Sequence, residues 1–314
     1  MRVLCVVNPW SGQDEFGFYD FVRVLGRNEA EVVLRFIGRR HSHVSHVQDA
    51  KQFDRVVAVG GDGTVSAICY ALRDTGVPVM AFPAGTANLI TLNLRMPTDP
   101  ADLAETLLRG SIRSFDMGEL TCRQNNGKPS RARPRHAESR RGFMVAAGAG
   151  FDAKIMEAAD DFKPAIGAAA YLLGALQNLA PTVSKFTLTI DGEKHSTEGI
   201  AVLVVNFARL QFDLAITHNS DPCDGSLEVV VLRTRNAVQL LPAVWGAFLD
   251  RTTGSRPDRS PGLEIHSAHE VEVEAEPELA LQHDGEVLPA TTPFSARVLP
   301  QAATLVVPET YVSS

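Results

Sequence analysis

Three short turns in this chain carry the residue types that hold phosphate. They are Asn8-Pro9-Trp10-Ser11-Gly12, Gly60-Gly61-Asp62-Gly63-Thr64 and Pro83-Ala84-Gly85-Thr86-Ala87-Asn88, and each follows an apolar run. Glycine lets a backbone approach an anion closely. A helix that begins directly afterwards offers unpaired N–H groups and a partial positive charge. Thr64 can cap such a helix or hydrogen-bond a phosphate. Asp62 is the anomaly, because a carboxylate in such a turn repels a bare phosphate. It either caps a helix or acts through Mg²⁺ or on a hydroxyl. The turns contain no Lys and no Walker A pattern, and the chain has no G-x-G-x-x-G fingerprint after a strand.

Strands and helices must place these turns. Val3–Val7, Glu31–Ile37, Asp54–Val59 and Val77–Phe82 read as strands. Helical spacing follows at Val65–Arg73 and Asn88–Leu94, and Asp99 caps a helix through Leu108 that Gly110 ends. Such alternation predicts parallel βαβ units in an open α/β sheet. Turns at the carboxyl ends of its strands open onto one crevice. Beyond Ile112 strands dominate, at Ser114–Cys122, Phe143–Ala147, Lys185–Ile190, Ile200–Asn206, Leu227–Leu232 and Val271–Ala275. Two helices interrupt them, at about Ala165–Leu179 and Asn236–Asp250, and Asp191-Gly192 signals a hairpin. This part predicts a β-sandwich or barrel.

The length of 314 residues suits two domains and a sizeable core. Apolar residues make up 45% and charged residues 21%, which excludes disorder and a fibrous chain. A formal net charge of −7 argues against a nucleic-acid footprint over the whole surface, so no nucleic-acid partner is expected. Cys5, Cys69, Cys122 and Cys223 are scattered and form no C-x-x-C pair, so cytosolic thiols fit better than zinc or disulfides. The uncharged stretch Pro164–Ser184 reads as a buried helix, and the N-terminal apolar run is too short for a signal peptide. His41, His43 and His46 read as a solvated loop entering a helix, with a transition-metal cluster as the alternative, and His283 as a surface residue, with tuning of Asp284 as the alternative. Glu270, Glu272, Glu274 and Glu276 read as one charged face of a strand.

The polar segment Arg123–Arg141 reads as a long hairpin loop. It holds seven basic residues against one acid, Glu138. Near an anionic leaflet each basic residue is worth about 1 kcal/mol; a solvated hairpin tip is the alternative.

The ordered motifs resemble the diacylglycerol kinase catalytic family, which includes soluble bacterial lipid kinases and the sphingosine and ceramide kinases. Asn8-Pro9-x-Ser11-Gly12, Gly60-Gly61-Asp62-Gly63-Thr64 and Pro83-x-Gly85-Thr86-x-Asn88 carry the likeness. It continues through Gly148–Asp152, Gly167, Tyr171-Leu172, Asp221-Pro222-Cys223-Asp224-Gly225-Ser226-Leu227 and Asp284-Gly285-Glu286. The resemblance implies an NAD kinase-like α/β nucleotide domain over 1–113, rejoined by about 297–314. A β-sandwich lipid-substrate domain would span 114–296. The implied reaction is transfer of the ATP γ-phosphoryl group to a lipid hydroxyl with Mg²⁺, and diacylglycerol giving phosphatidic acid is the favoured pair. Asn8, Pro9, Trp10, Ser11, Gly12, Gly60, Gly61, Asp62, Gly63, Thr64, Val65, Ser66, Gly85, Thr86 and Asn88 would face the nucleotide. Asp62 would stand near the transferring phosphate, with Asp284 and the general base Glu286 at the interdomain cleft. Asp221, Asp224 and Ser226 would hold a structural Mg²⁺.

The implied setting is a cytoplasmic chain at the membrane periphery, with a lipid substrate and at most a second copy of itself as partner. Leu89 stands where most of the family has an acid, and Leu210-Gln211-Phe212-Asp213 replaces a glycine cluster after Asn206. Trp10 fills a position usually held by a small residue; it would stack on adenine or simply pack. A sphingoid base or other lipid alcohol, an NAD kinase activity, and a catalytically weak relative remain the alternatives. The missing Asn-x-Gly-x-Leu-Gly-Phe segment argues against NAD.

Overall fold

A computed structural model describes residues 1–11, 15–38, 43–125, 136–150, 182–207, 221–234 and 262–311. Strands β1 (Arg2–Val7), β2 (Glu31–Phe36), β3 (Arg55–Gly60) and β4 (Val79–Pro83) pair in parallel in the order β2-β1-β3-β4. Helices α1 (Glu15–Arg27), α2 (Asp62–Leu72), α3 (Leu89–Asn93) and α4 (Pro100–Arg109) alternate with them. β1, β3 and β4 are almost wholly buried, as central parallel strands covered on both faces must be. The rings of Phe18 and Phe21 on α1 pack edge-on against Phe82 of β4. Asp99 caps α4 by accepting from the N–H groups of Ala101 and Asp102, with Pro100 at its first turn.

The same sheet runs on into antiparallel structure. It takes in β5 (Ser111–Asn125), β6 (His136–Phe143), β8 (Ser184–Ile190), β9 (Glu193–Gly199), β13 (Glu270–Glu276) and β16 (Phe294–Val307). The long strand β16 joins the parts: Leu305 pairs in parallel with Val79 of β4, and the rest runs antiparallel to β5 and β13. A second sheet has the order β12-β11-β10-β7-β14-β15. Its strands are β7 (Ala146–Ala149), β10 (Ala201–Val205), β11 (Leu227–Leu232), β12 (Leu263–Ala268), β14 (Ala280–His283) and β15 (Glu286–Thr291). The inner faces of the two sheets share a core that includes Leu120, Phe143, Phe186, Val202, Val229, Leu281 and Phe294. That is α/β structure followed by a β-sandwich, the predicted fold class.

Several sequence expectations shift. Both ends of the loop read over Arg123–Arg141 are ladder: β5 continues to Asn125, β6 begins at His136, and Arg123 pairs with Glu138; residues 126–135 lie outside the described residues. Backbone pairing tolerates this polar run because β6 lies at a sheet edge, where charged side chains are common. The strand expected at Phe143–Ala147 is two strands, broken at Met144 and Val145. The helix expected from Val65 starts at Asp62, inside the glycine turn. Glu270, Glu272, Glu274 and Glu276 do form one exposed face of β13, and Asp191-Gly192 closes the β8–β9 hairpin with positive φ at both residues. The helices expected near 165–179 and 236–250, and the segments 164–181 and 208–220, lie outside the described residues, as do His41 and Gly12.

β16 carries a bulge between Leu299 and Ala303 with Gln301 at φ +51. The fully buried Asp116 of β5 holds it. The Gln301 N–H donates to Asp116 Oδ1 at 2.7 Å and the Gly225 N–H to Oδ2 at 2.6 Å. The Asn206 amide donates to the Asp116 carbonyl at 2.9 Å. Truncating Asp116 orphans two N–H donors, each costing roughly 1–3 kcal/mol. Asp116→Ala should lower unfolding stability by about 3 kcal/mol, read as a lower urea midpoint at an unchanged slope.

Candidate functional site

The second and third glycine turns touch. A Cβ built on Gly61 would lie 3.6 Å from the Gly85 Cα, and one built on Gly85 would overlap the Gly61 Cα. The approach requires a glycine at position 85, while a Cβ at Gly61 would make only an ordinary contact. Asp62 locks it: its Oδ2 accepts from the Leu89 N–H at 3.0 Å and its Oδ1 from the Ile90 N–H at 2.8 Å. A carboxylate at the first turn of α2 therefore caps the next helix along, α3. Asn88, left-handed at φ +50, closes the third turn by accepting from the Gly85 N–H and donating to its carbonyl. The first turn is tied in by Asn8, whose amide donates to Thr64 Oγ1 at 2.9 Å while its Oδ1 accepts from the Trp10 N–H at 3.1 Å. Thr64 thus braces the first turn and does not cap α2.

The hairpin between β14 and β15 comes from the other sheet. His283 pairs with Glu286 across a tight turn in which Asp284 (φ +42) and Gly285 (φ +83) are both left-handed. This two-residue turn matches the twist of the strands it joins. The Asp284 carboxylate accepts from the N–H groups of Met144 (3.2 Å), Val145 (2.9 Å) and Ala146 (3.1 Å), where the chain breaks between β6 and β7. Ser66 Oγ accepts from the same Met144 N–H at 3.2 Å. Glu286, exposed at the start of β15, then reaches α2: a Cβ on Gly63 would stand 3.2 Å from its Oε1.

Corrections and additions follow from this packing. His283 is buried, not at the surface, and its Nε2 meets the Gly142 carbonyl at 2.9 Å. Sequence spacing cannot report that, because β14 is covered on both faces near its end. Asp116 escaped the sequence reading; its signal was a lone carboxylate between Phe115 and Met117. Glu119 escaped it as well. It accepts from the Tyr70 hydroxyl of α2 and from Arg297 of β16, and against the effect of burial these partners hold it below the usual carboxylate range.

Asp221, Asp224 and Ser226 lie together in the loop before β11, but the carboxylates are engaged locally. Asp221 Oδ1 accepts from the Cys223 N–H, and Asp224 Oδ1 from the N–H and hydroxyl of Ser226. Asp116 beside them is raised by burial and by the Asp224 and Asp221 charges, a strain that a divalent cation would relieve. These are the hard oxygen donors Mg²⁺ takes. Among the described residues no three His, Cys, Asp or Glu side chains converge to ligate, so backbone oxygens would have to complete the set. No helix among the described residues is long and apolar enough to cross a membrane.

Burial pushes Asp62 up to about 6; the Asp284 charge adds to this, and the Ile90 and Leu89 N–H groups oppose it. The folded state therefore binds the proton more tightly than the unfolded chain. That stabilisation is complete below about pH 4 and is lost as pH rises through 6. A rise from the usual carboxylate range to about 6 corresponds to roughly 3 kcal/mol. Urea unfolding of the wild type should weaken by that order between pH 4 and 7 relative to Asp62→Asn, which lacks the titration.

The diacylglycerol kinase catalytic domain model matches residues 2–120, and the YegS C-terminal NAD kinase beta sandwich-like domain model matches 145–307. An uncharacterized protein of Synechocystis sp. is 27% identical over 87% of this chain, which spans 59% of that longer protein. A diacylglycerol kinase of Mycobacterium tuberculosis is 26% identical over 76% of each chain. A Klebsiella pneumoniae protein named "Probable lipid kinase YegS-like" is 24% identical over 93% of this chain and 91% of its own. The crystal structure of a diacylglycerol kinase from Bacillus anthracis str. Sterne shares the fold, with a TM-score of 0.68 at 19% identity. That match covers 99% of this chain and 98% of the other.

Proposed function

The chain belongs to the diacylglycerol kinase catalytic-domain family with a YegS-type C-terminal domain, and from that premise we propose that it is an ATP- and Mg²⁺-dependent lipid kinase. Its favoured acceptor is diacylglycerol, giving phosphatidic acid. One observation carries the reading: an exposed carboxylate, Glu286, stands against Gly63 at the start of the helix that follows the glycine turn. A phosphoryl donor cradled at that helix start would put its terminal phosphorus within reach of a hydroxyl held by Glu286.

In this reading the turns at Gly60–Thr64 and Gly85–Asn88 hold the phosphates through backbone N–H groups and the α2 N-terminus. Asn8, Pro9 and Ser11 border the rest of the nucleotide, Val65 and Ser66 support the helix start, and Thr86 lines the third turn. Asp62 fixes the two turns at one spacing. Glu286 accepts the proton of the lipid hydroxyl as its oxygen attacks the γ-phosphorus. The bond from the γ-phosphorus to the β–γ bridging oxygen breaks, and ADP leaves. Asp284 holds the turn that aims Glu286. Mg²⁺, when bound, neutralises phosphate charge, and the Asp221–Ser226 loop is the candidate structural site. The acceptor would come from the side of residues 114–296, with the chain resting at a membrane surface.

The test is transfer of labelled γ-phosphate to diacylglycerol, sphingosine or a total lipid extract in mixed micelles, with NAD in parallel. Labelled phosphatidic acid supports the proposal, a labelled sphingoid base moves the acceptor, and labelled NADP overturns it. Glu286→Gln should lower kcat by about 10²–10⁴ while leaving the Kd for ATP within about threefold. A kcat that does not change would remove Glu286 as the base.

A further inference from the structure

A buried nitrogen beside the Glu286 hairpin lacks a donor. His283 is only 5% exposed. Its Nε2 lies 2.9 Å from the Gly142 carbonyl, which can only accept, so Nε2 carries the hydrogen. In the neutral ring Nδ1 is then a bare acceptor. It is closed to solvent, and no donor among the described residues reaches it. Buried acceptors left unmet are costly and rare.

The strand ladders name the side chains around it. Directly opposed residues on antiparallel strands project to one face. The partner of His283 on β7 is Ala147, and its partner on β15 is Glu286. Leu281, two residues back on β14, shares that face by alternation. Leu281 and Ala147 belong to the core between the sheets, whereas Glu286 leads out to Gly63. Of the three, only Glu286 can ever hold a hydrogen to donate. Opposed Cβ atoms stand roughly 5 Å apart, within the sweep of a glutamate side chain. Arg141, next to Gly142 on the facing strand, is the rival donor; its Nε has no acceptor among the described residues.

As a carboxylate, Glu286 has no hydrogen to give. It gains one at a single moment of the proposed kinase reaction, on which this inference rests. The O–H bond of the acceptor hydroxyl breaks, the oxygen bonds to the γ-phosphorus, and the proton passes to a Glu286 oxygen. We infer that His283 Nδ1 then accepts a hydrogen bond from the new carboxyl O–H, directly or through one water, which makes His283 a positioning residue for the base. The proton stays on Glu286 until the product leaves, and the imidazole keeps its one hydrogen throughout. A bond that forms only as the proton arrives stabilises the transition state and not the bound substrate. It therefore raises kcat and leaves KM alone.

The first arm of the test needs no catalysis. An amide at position 286 gives Nδ1 a permanent donor. Urea unfolding of the full chain should place the midpoint of Glu286→Gln above that of Glu286→Met, which removes the same charge but supplies no donor. In the His283→Leu background the two midpoints should coincide; His283→Met serves if the leucine variant does not fold. The second arm is γ-phosphoryl transfer to the lipid that the wild type phosphorylates. His283→Leu should lower kcat about tenfold, the scale of one hydrogen bond, with KM for ATP and lipid within about threefold. His283→Gln keeps an N–H for the Gly142 carbonyl and an oxygen that accepts, and should hold kcat within about threefold of wild type. Equal midpoints for Glu286→Gln and Glu286→Met in the wild-type background overturn the inference and leave the kinase reading standing. So does a midpoint gap that persists without His283, or a kcat loss of the same size in Arg141→Leu with no gap, which gives Nδ1 to Arg141. No transfer to any lipid overturns the kinase reading and the catalytic role of His283 with it, while the unfolding arm still decides whether the two side chains bond.

Discussion

Carboxylates taken out of water organise this molecule. An ionised carboxylate in the interior must be met by donors, because leaving it unpaired costs several kcal/mol. In this chain the donors are backbone N–H groups of segments distant in sequence. Asp62 grips the start of α3, Asp284 grips residues 144–146, and Asp116 grips Gly225 and Gln301. Each satisfies N–H groups that no helix or strand ladder could take, at a helix start, a strand break and a bulge. The need to satisfy the charge and the need to satisfy the backbone are met by the same contacts.

These clamps act in series. Asp62 sets the spacing between two glycine turns whose backbones nearly touch, so the pair behaves as one rigid rim. Asp284 anchors a two-residue turn to the β6–β7 break, and that turn fixes where Glu286 emerges. Ser66 shares the Met144 N–H with Asp284, so the glycine-turn helix and the hairpin are braced on one peptide. Tyr70 and Arg297 add a second tie between α2 and the sheet through Glu119. The hairpin that carries Glu286 and the helix that starts at Gly63 are each braced, and a site that must keep a group near a reacting phosphorus gains from that rigidity.

The bulge in β16 has a related role. The 14-residue strand β16 pairs in parallel with β4 and antiparallel with β5, and its ladder with β5 is interrupted between Leu299 and Ala303. The extra residues there form a bulge, which bends a strand locally, and Asp116 satisfies its Gln301 N–H from the next strand.

The sequence alone determined the strand-turn-helix rhythm of the first third, the strand-rich remainder, the cap at Asp99, the Asp191-Gly192 hairpin and the three glycine-bearing turns. These features follow from local chemistry: side-chain periodicity, N–H capping and the freedom of glycine are set within a few residues. Only the tertiary structure decided what the acids do. Asp62 was legible as a capping residue but not as the cap of the following helix, since its partners are 27 and 28 residues away. Asp116 and the burial of His283 depend on contacts more than 100 residues apart. The convergence of Gly61 with Gly85, and of Glu286 with Gly63, comes from sheet order. Local preference carries no information about which distant N–H group will satisfy a buried charge, and that choice built the site.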